Sequence, residues 1–492
     1  MKSPARFPVF AMVFALILVI IAMLALGSCT GLTHGTGTTS TNPGIVAVNH
    51  VVVLLQENRS FDSYFGKLND YRAAHGIPGT VDGLGATGFA NISPVTGAPI
   101  ASYHSGSVCM ENMTPDWAEA HADMNIANPA AFTAFKMDGF VNTAAGLATF
   151  DQFLDLEGRR AMGFYTDQEL NYYYFMASSF AVSDRFYSPV PTNTTNNRLY
   201  MFAATSQGTV HTPNGAEYRD PACVNSGAPG QLTAKTIWQS LSEHNISWKI
   251  YISDLSPDCA SGGPTTACLM HSTYLQFFTW ANSNPVAQAN VVPVSQYFTD
   301  VANGTLPSVA FIEAGSFTGR DEHPSGKDLT QTPPVQEIIN IQSGAAYASS
   351  LINALMNSPS WKDSAFFFAF DEGGGAFDHV PPMVVPNPDG IKPILCLPKD
   401  VAVGGDFTIT GFRVPNMVVS PFAKKNYVSH TPMDYTAILK FIEARWNLPP
   451  LTLRDASMPD MTEFFDFLGK PWATPPTPPA QVTGAPCNFA LE

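Results

Sequence analysis

Two long apolar runs in this chain end in carboxylates. Val51-Val52-Val53-Leu54-Leu55 leads into Gln56-Glu57-Asn58, and Phe366-Phe367-Phe368-Ala369-Phe370 leads into Asp371-Glu372. Neither run alternates with polar residues, which is the pattern of a strand buried on both faces. The same pattern predicts strands over 47–55, 248–253, 309–313, 365–370 and 412–419. Between them, helices are expected over 234–244, 343–356 and 433–446. The last has start chemistry: Thr431 as cap, Pro432 in the first turn and Asp434 in the capping-box position. Its residues Tyr435, Ile438, Leu439 and Ile442 fall on one helical face. Strands alternating with helices predict an α/β fold, a central, mostly parallel twisted sheet flanked by helices on both faces. Ligands of such sheets bind outside the carboxyl ends of the strands. Two acidic clusters at one sheet edge make a metal or phosphate site.

Composition narrows the class. The chain has 492 residues, 45% hydrophobic and 13% charged, enough for a large core. A net charge of −15 argues against nucleic acid or an anionic membrane surface as partner. Phosphate remains possible where a metal inverts the local sign.

Residues 1–29 read as a targeting segment. Lys2 and Arg6 precede an apolar run over 7–26, which ends in Leu26-Gly27-Ser28-Cys29. This resembles a bacterial lipoprotein signal, with Cys29 as the lipidated residue. The competing reading is an uncleaved membrane anchor. Both export the chain, to a lipid-anchored place in the cell envelope or, alternatively, into the medium. Residues 30–44 read as a flexible linker, 45–469 as one domain, and 470–492 as a Pro-rich tail draped over the surface. With Cys29 lipidated, six of the seven cysteines remain, enough for three disulfides. Cys259 and Cys268 are the simplest pair, closing a Gly/Pro-rich loop. No zinc spacing of Cys and His is present, and the sequence carries no signal for oligomeric state.

The candidate chemistry lies in four places. Asp371 and Glu372 are adjacent acids, which repel unless a cation sits beside them. The triplet Gly373-Gly374-Gly375 permits close approach of backbone to a ligand. The run over 191–198 is crowded with hydroxyls and amides, and a hydroxyl beside a metal can attack phosphorus. Of the 11 histidines, His50 reads as core, while His121, His323 and His379 are candidates to bind phosphate oxygens or protonate a leaving alkoxide. Tyr172-Tyr173-Tyr174-Phe175 reads as core rather than as an aromatic wall for a choline headgroup.

The segments HVVVLLQENRSFDSYFG (50–66), KMDGF (136–140), NRLY (197–200), ISWKIY (246–251), EHP (322–324), DEGGGAFDHVPP (371–382) and VVSPFAKKNYVSHTPMDYTAILKFIE (418–443) occur in that order. Together they resemble the bacterial phosphoesterase family of acid phosphatases and phosphatidylcholine-type phospholipases C, part of the wider alkaline-phosphatase-like group. The resemblance implies an alkaline-phosphatase-like fold and an exported, metal-dependent phosphoric ester hydrolase. It implies Glu57, Asn58, Asp371 and Glu372 as metal ligands and Thr194 as the nucleophile, with Thr192 as its rival. It implies His323 and His379 near the phosphate, as acids, and His121, Asn197 and Arg198 on the substrate. His121 is the looser match, because Pro115-Asp116-Trp117 lacks the histidine usual before that tryptophan. The metal is divalent: Ca, Mg, Mn or Zn. Phospholipase-like members carry Asp-Glu-His-Gly-Gly where this chain has Asp371-Glu372-Gly373-Gly374-Gly375, and the phosphatase branch tends to Asp-Asp-Gly-Gly-Gly. The substrate therefore stands between a phosphate monoester and a phospholipid diester. From another class, a catalytically inactive surface lipoprotein that uses the fold for binding competes. A sulfatase is disfavoured by the lack of a Cys-x-Pro-x-Arg motif.

Overall fold

The computed structural model describes residues 43–128, 133–212, 230–256, 259 and 263–491. The targeting segment, Cys29 and most of the linker lie outside the described residues. Eight strands form one sheet: β1 (His50–Gln56), β2 (Ala181–Ser183), β3 (Trp248–Ile252), β4 (Val291–Pro293), β5 (Val309–Glu313), β6 (Ser364–Phe370), β7 (Asn416–Val419) and β8 (Tyr427–Ser429). Their order is β4-β3-β5-β1-β6-β7-β2-β8. Only β7 runs against its neighbours; the other pairings are parallel. The α/β class with a mostly parallel sheet is as expected. The strand expected over 412–419 is shorter, Asn416–Val419, because Phe412 and Val414 hydrogen-bond to Ser188 and Phe186 instead.

The helices that frame the site are α1 (Phe61–Phe65), α2 (Trp117–Met124), α3 (Asn171–Ser179), α4 (Thr194–Ala203), α5 (Ile237–Glu243), α6 (Ile341–Met356) and α7 (Thr436–Trp446). Successive strand residues point to opposite faces of a sheet, and β6 shows which helix lies where. Phe367 meets Phe441 of α7 at 5.1 Å, whereas Phe368 meets Tyr173 of α3 at 4.9 Å. Phe367 aligns with Val53, and Val53 with Phe311. Phe311 packs on Phe202 of α4 and Trp238 of α5. So α4, α5 and α7 cover one face. On the other, Tyr172 of α3 bonds Asn353 of α6. The aromatic stretch Tyr172-Tyr173-Tyr174 is fully buried core.

The start of α7 differs from expectation. Thr431 hydrogen-bonds Glu463, and Met433–Asp434 pairs with Phe186–Tyr187 as a short strand. The helix begins at Thr436, whose N–H donates to Asp434 Oδ1 at 2.8 Å. Arg454 holds the other Asp434 oxygen at 3.1 Å, and this ion pair draws the first turn forward. Cys259 is bonded to Cys268 and Cys109 to Cys487; Cys396 is disulfide-bonded too. The tail is stitched down by hydrogen bonds from Asn171 to Ala480 and from Val108 to Pro486.

One buried acid in α7 works against stability. Burial, with the Asp455 carboxyl alongside, pushes Glu443 from 4.5 up to about 11. The folded chain keeps Glu443 protonated while the unfolded chain ionises it above 4.5, so stability is lost as pH rises from there. Glu443→Gln should therefore raise stability by on the order of 2 kcal/mol at pH 7 and change little at pH 4. Urea unfolding of both proteins at the two pH values checks this.

Candidate active site

Register brings the two acidic pairs together. Gln56 and Phe370, the last residues of β1 and β6, are direct partners, and Asp371 N–H donates to the Gln56 carbonyl at 3.0 Å. Glu57 and Asp371 thus leave the sheet side by side. On the other flank of β1, Leu54 aligns with Ile312, so Glu313 at the end of β5 joins them.

Arg198, fully buried on α4, ties these strand ends together. Its guanidinium lies 3.1 Å from Glu57 Oε1, 3.2 Å from Asp371 Oδ2 and 3.5 Å from Glu313 Oε2. It also donates to the Leu55 carbonyl and sits over the Tyr274 ring. Arg198 was expected on the substrate; instead, three carboxylates and a carbonyl take its donors. Asn197 is likewise occupied: its amide bonds the carbonyls of Thr192 and Asn193 and the Val190 N–H. It shapes the loop before α4.

The two threonine hydroxyls of that loop meet different partners. Thr192 Oγ1 is buried and donates to the Val210 carbonyl. Thr194, the first residue of α4, points its Oγ1 at Asn58 Oδ1, 3.2 Å away. A hydroxyl at a helix N-terminus stands where exposed N–H groups and the helix dipole favour an anion.

Asn58 adopts a left-handed backbone, φ 62. Its N–H donates to Asp371 Oδ1 at 3.1 Å, which also accepts the Glu372 N–H at 2.8 Å. Glu372 Oε2 accepts the Gly374 N–H at 2.7 Å, while Oε1 is buried without a partner. The glycines serve a different purpose from the one expected. A Cβ on Gly374 would lie 2.4 Å from the Asn58 carbonyl oxygen, so this close approach is to the chain's own backbone.

The electrostatics are those of negative charge in excess. Burial pushes Asp371 up to about 7 even with Arg198 alongside, and pushes Glu313 to about 7. Glu372 is raised well above the carboxylate range, by burial and then by the Asp371 charge. Oxygen donors, an orphaned buried carboxylate oxygen and underneutralised acids together fit a hard divalent cation. Glu57 is at present turned to Arg198 and to the Ser316 hydroxyl, 3.0 Å away.

The histidines separate. His323 follows Asp321, whose carbonyl accepts the Glu57 N–H at 2.8 Å, so it lies on the loop that caps β1. Its Nδ1 is 2.6 Å from the Pro324 carbonyl, which leaves Nε2 for other partners. His379 belongs elsewhere, contrary to expectation. Its Nδ1 lies 2.6 Å from Asp62 and its Nε2 3.1 Å from Asp82, with Phe89 stacked on the ring. Both nitrogens are committed. Among the described residues, Asp62, Asp378 and His379 are the one trio of acids and histidines whose ligand atoms lie within 4.8 Å of one another. Arg413 already fills it, at 3.0 Å from Asp62 and 2.8 Å from Asp378. His121 is buried against Trp117, its Nδ1 2.6 Å from that residue's carbonyl and its Nε2 unpartnered. Burial lowers its pKa.

Sequence reading passed over Glu313, Asp116 and Tyr274. Glu313 had the same signal as Glu57, a carboxylate ending an apolar run. Asp116 holds Asn193 beside Thr194 at 3.2 Å, and its charge acts on Glu372. A cavity of about 260 Å³ opens beside Glu57, lined by Asp254, His271, Tyr274, Glu313 and Phe317 among others.

The chain is 28% identical over 468 residues to phospholipase C B of Mycobacterium tuberculosis, covering 89% of this chain and 80% of that protein. It is 26% identical over 470 residues to the non-hemolytic phospholipase C of Burkholderia pseudomallei, covering 88% and 61%. It is 26% identical over 444 residues to non-specific phospholipase C1 of Arabidopsis thaliana, covering 86% and 72%. Among solved structures, it is similar to a protein in the alkaline phosphatase superfamily from Vibrio parahaemolyticus, with 12% identity, a TM-score of 0.33, and 80% and 78% of the two chains covered. Residues 48–449 match the sequence model of the Phosphoesterase family, and the chain belongs to that family.

Proposed function

We propose that this hydrolase of phosphate esters works through Thr194 at a divalent-metal centre built on Asn58, Asp371, Glu372 and Glu57. The observation that carries the reading is the Thr194 hydroxyl, 3.2 Å from Asn58 Oδ1 and above two strand-end acidic pairs held in register. When bound, the cation lowers the pKa of the Thr194 hydroxyl and neutralises phosphoryl oxygen charge. Ca, Mg, Mn and Zn are the candidates. Glu57, now paired with Arg198, would be the fourth residue of that ligand set.

Thr194, its hydroxyl proton lost to solvent, attacks phosphorus in line through Oγ, and the bond from phosphorus to the leaving oxygen breaks with its electron pair. His323 Nε2 gives that oxygen a proton. Water then attacks the phosphothreonine with loss of its proton to solvent, Thr194 leaves as the alkoxide, and His323 is reprotonated from solvent. Thr192 is left out because its hydroxyl is spent on Val210. Asn197 and Arg198 act as supports of the loop and the strand ends, and His379 as part of the Arg413 ion network. His121 is kept as a support for Trp117.

The substrate proposed is a phospholipid diester. The names of the relatives support it, and so does the acidic lining beside Glu57, which opposes a monoester dianion. Lipidation at Cys29 would hold the exported enzyme at the envelope; among the described residues no helix is long and apolar enough to cross a membrane.

Thr194→Ala should lower turnover of p-nitrophenyl phosphorylcholine at least about a hundredfold, with Thr192→Ala within a few-fold of wild type. The rate of nitrophenol release measures both, with p-nitrophenyl phosphate as the monoester control. Loss in Thr192→Ala alone would move the nucleophile. Separately, Mn or Ca added to the chelator-treated protein should raise Tm by about 5 °C, and Asp371→Asn should remove that shift. Metal binding without turnover of either ester would favour the inactive binding protein.

A further inference from the structure

Glu322 is the most constrained residue near the sheet edge that the proposed chemistry leaves unused. It is fully buried and sits in the left-handed region, φ 72. For a residue with a long side chain this conformation is strained, and it persists only where the surroundings over-determine it. Here they do. Glu322 Oε1 accepts from the Tyr173 hydroxyl and from Gln56 Nε2 at 3.0 Å. Oε2 accepts from the Tyr64 hydroxyl at 2.7 Å. The carbonyl accepts from Arg59 Nε at 3.1 Å and Nη2 at 2.7 Å. Gly344 of α6 lies so close that a Cβ there would be 2.1 Å from Glu322 Cγ.

The partners come from β1, α1 and α3, so three elements grip one side chain. The reversal at Glu322 sends its neighbours the other way. Asp321 caps Glu57 through its carbonyl, and its Oδ1 accepts the His323 N–H at 3.2 Å. Two residues on, Ser325 N–H bonds the Met110 carbonyl at 2.7 Å. The segment is pinned before and after His323, and its direction between the pins is set at Glu322.

We infer that Glu322 is a positioning residue: its buried clamp by Tyr64, Tyr173, Gln56 and Arg59 fixes the backbone reversal that presents His323 to the leaving oxygen. This rests on the reading of His323 as the acid. The clamp does no chemistry itself. It lets His323 meet the leaving oxygen in one orientation, and an acid out of line by an ångström loses most of its effect.

The test uses leaving-group dependence, which a general loss of structure does not mimic. Nitrophenolate leaves without a proton; an alkyl alcohol does not. Glu322→Gln, and as a milder variant Tyr173→Phe, should lower hydrolysis of glycerophosphocholine by about tenfold or more and of p-nitrophenyl phosphorylcholine by less than about threefold. His323→Asn should give the same selective loss, and adding Glu322→Gln to it should cost nothing further on the alkyl ester. Equal losses on both esters in Glu322→Gln and Tyr173→Phe, beside a selective His323→Asn, would overturn the positioning role alone. A non-selective His323→Asn would overturn the acid assignment and this inference with it.

Discussion

The candidate site depends on one buried cation. Arg198 stands among Glu57, Asp371 and Glu313, three carboxylates that end three neighbouring parallel strands. Parallel strands in register deliver their ends to one edge, and here each end is an acid. Without a positive charge that edge would be self-repelling, and removing one partner of such a buried set costs about 3–5 kcal/mol. Arg198 is four residues along α4 from Thr194, about one helical turn. The ion pairs that neutralise the edge therefore also fix the helix, and through it the height of the Thr194 hydroxyl above Asn58. Stability and placement of the Thr194 hydroxyl share one contact.

Much of this was legible in the sequence, for a reason that also explains what was not. The strands β1, β5 and β6 are apolar on both faces, and a run without alternation is hard to mistake. Their ends gave Glu57 and Asp371, and the same logic reaches Glu313, whose strand was found but whose final carboxylate was not followed. The roles of Arg198, Asn197 and His379 were not legible. Arg198 and His379 depend on what the side chain meets across more than a hundred residues of chain, Asp371 and Asp62, while Asn197 turns back on the irregular loop just before it. The choice between Thr192 and Thr194 turned on where two neighbouring hydroxyls point. Spacing alone leaves that open, because a loop before a helix has no period to read. The start of α7 failed for a similar reason: a sound capping pattern at Thr431 lost to the Arg454–Asp434 ion pair, formed by residues 20 apart.

Two ionic clusters lie near the strand ends, and their completeness separates them. Around Arg413, Asp62 and Asp378 each have a guanidinium contact, and His379 bridges Asp62 to Asp82. The charge of His379 is favoured by Asp62, against burial. That cluster is closed: its donors are matched to acceptors, and it holds the segment around Asp82 to the core. Around Arg198 the count falls short. Glu372 keeps one buried oxygen without a partner, and Asp371 and Glu372 are both raised by burial. A folded protein usually satisfies its buried polar groups, and an unsatisfied carboxylate is tolerated where something else is to complete it.

Strain sorts the same way. Asn58 and Glu322 are non-glycine residues in the left-handed region, and both border the end of β1, one directly after Glu57 and one beside the Asp321 carbonyl that caps it. Gly374 makes room for the first and Gly344 for the second. Small residues were thus placed to let two strained turns approach the same strand end. Both turns are buried but add polar rather than apolar groups to the interior. They set the direction of Asn58, which meets Thr194, and of the backbone from Asp321 to His323. A chain that needed only stability would relax both turns with glycine. Keeping side chains there, Glu322 held by three hydrogen bonds and Asn58 by one, spends folding energy on orientation, and orientation matters where a reacting group must be met from a fixed side.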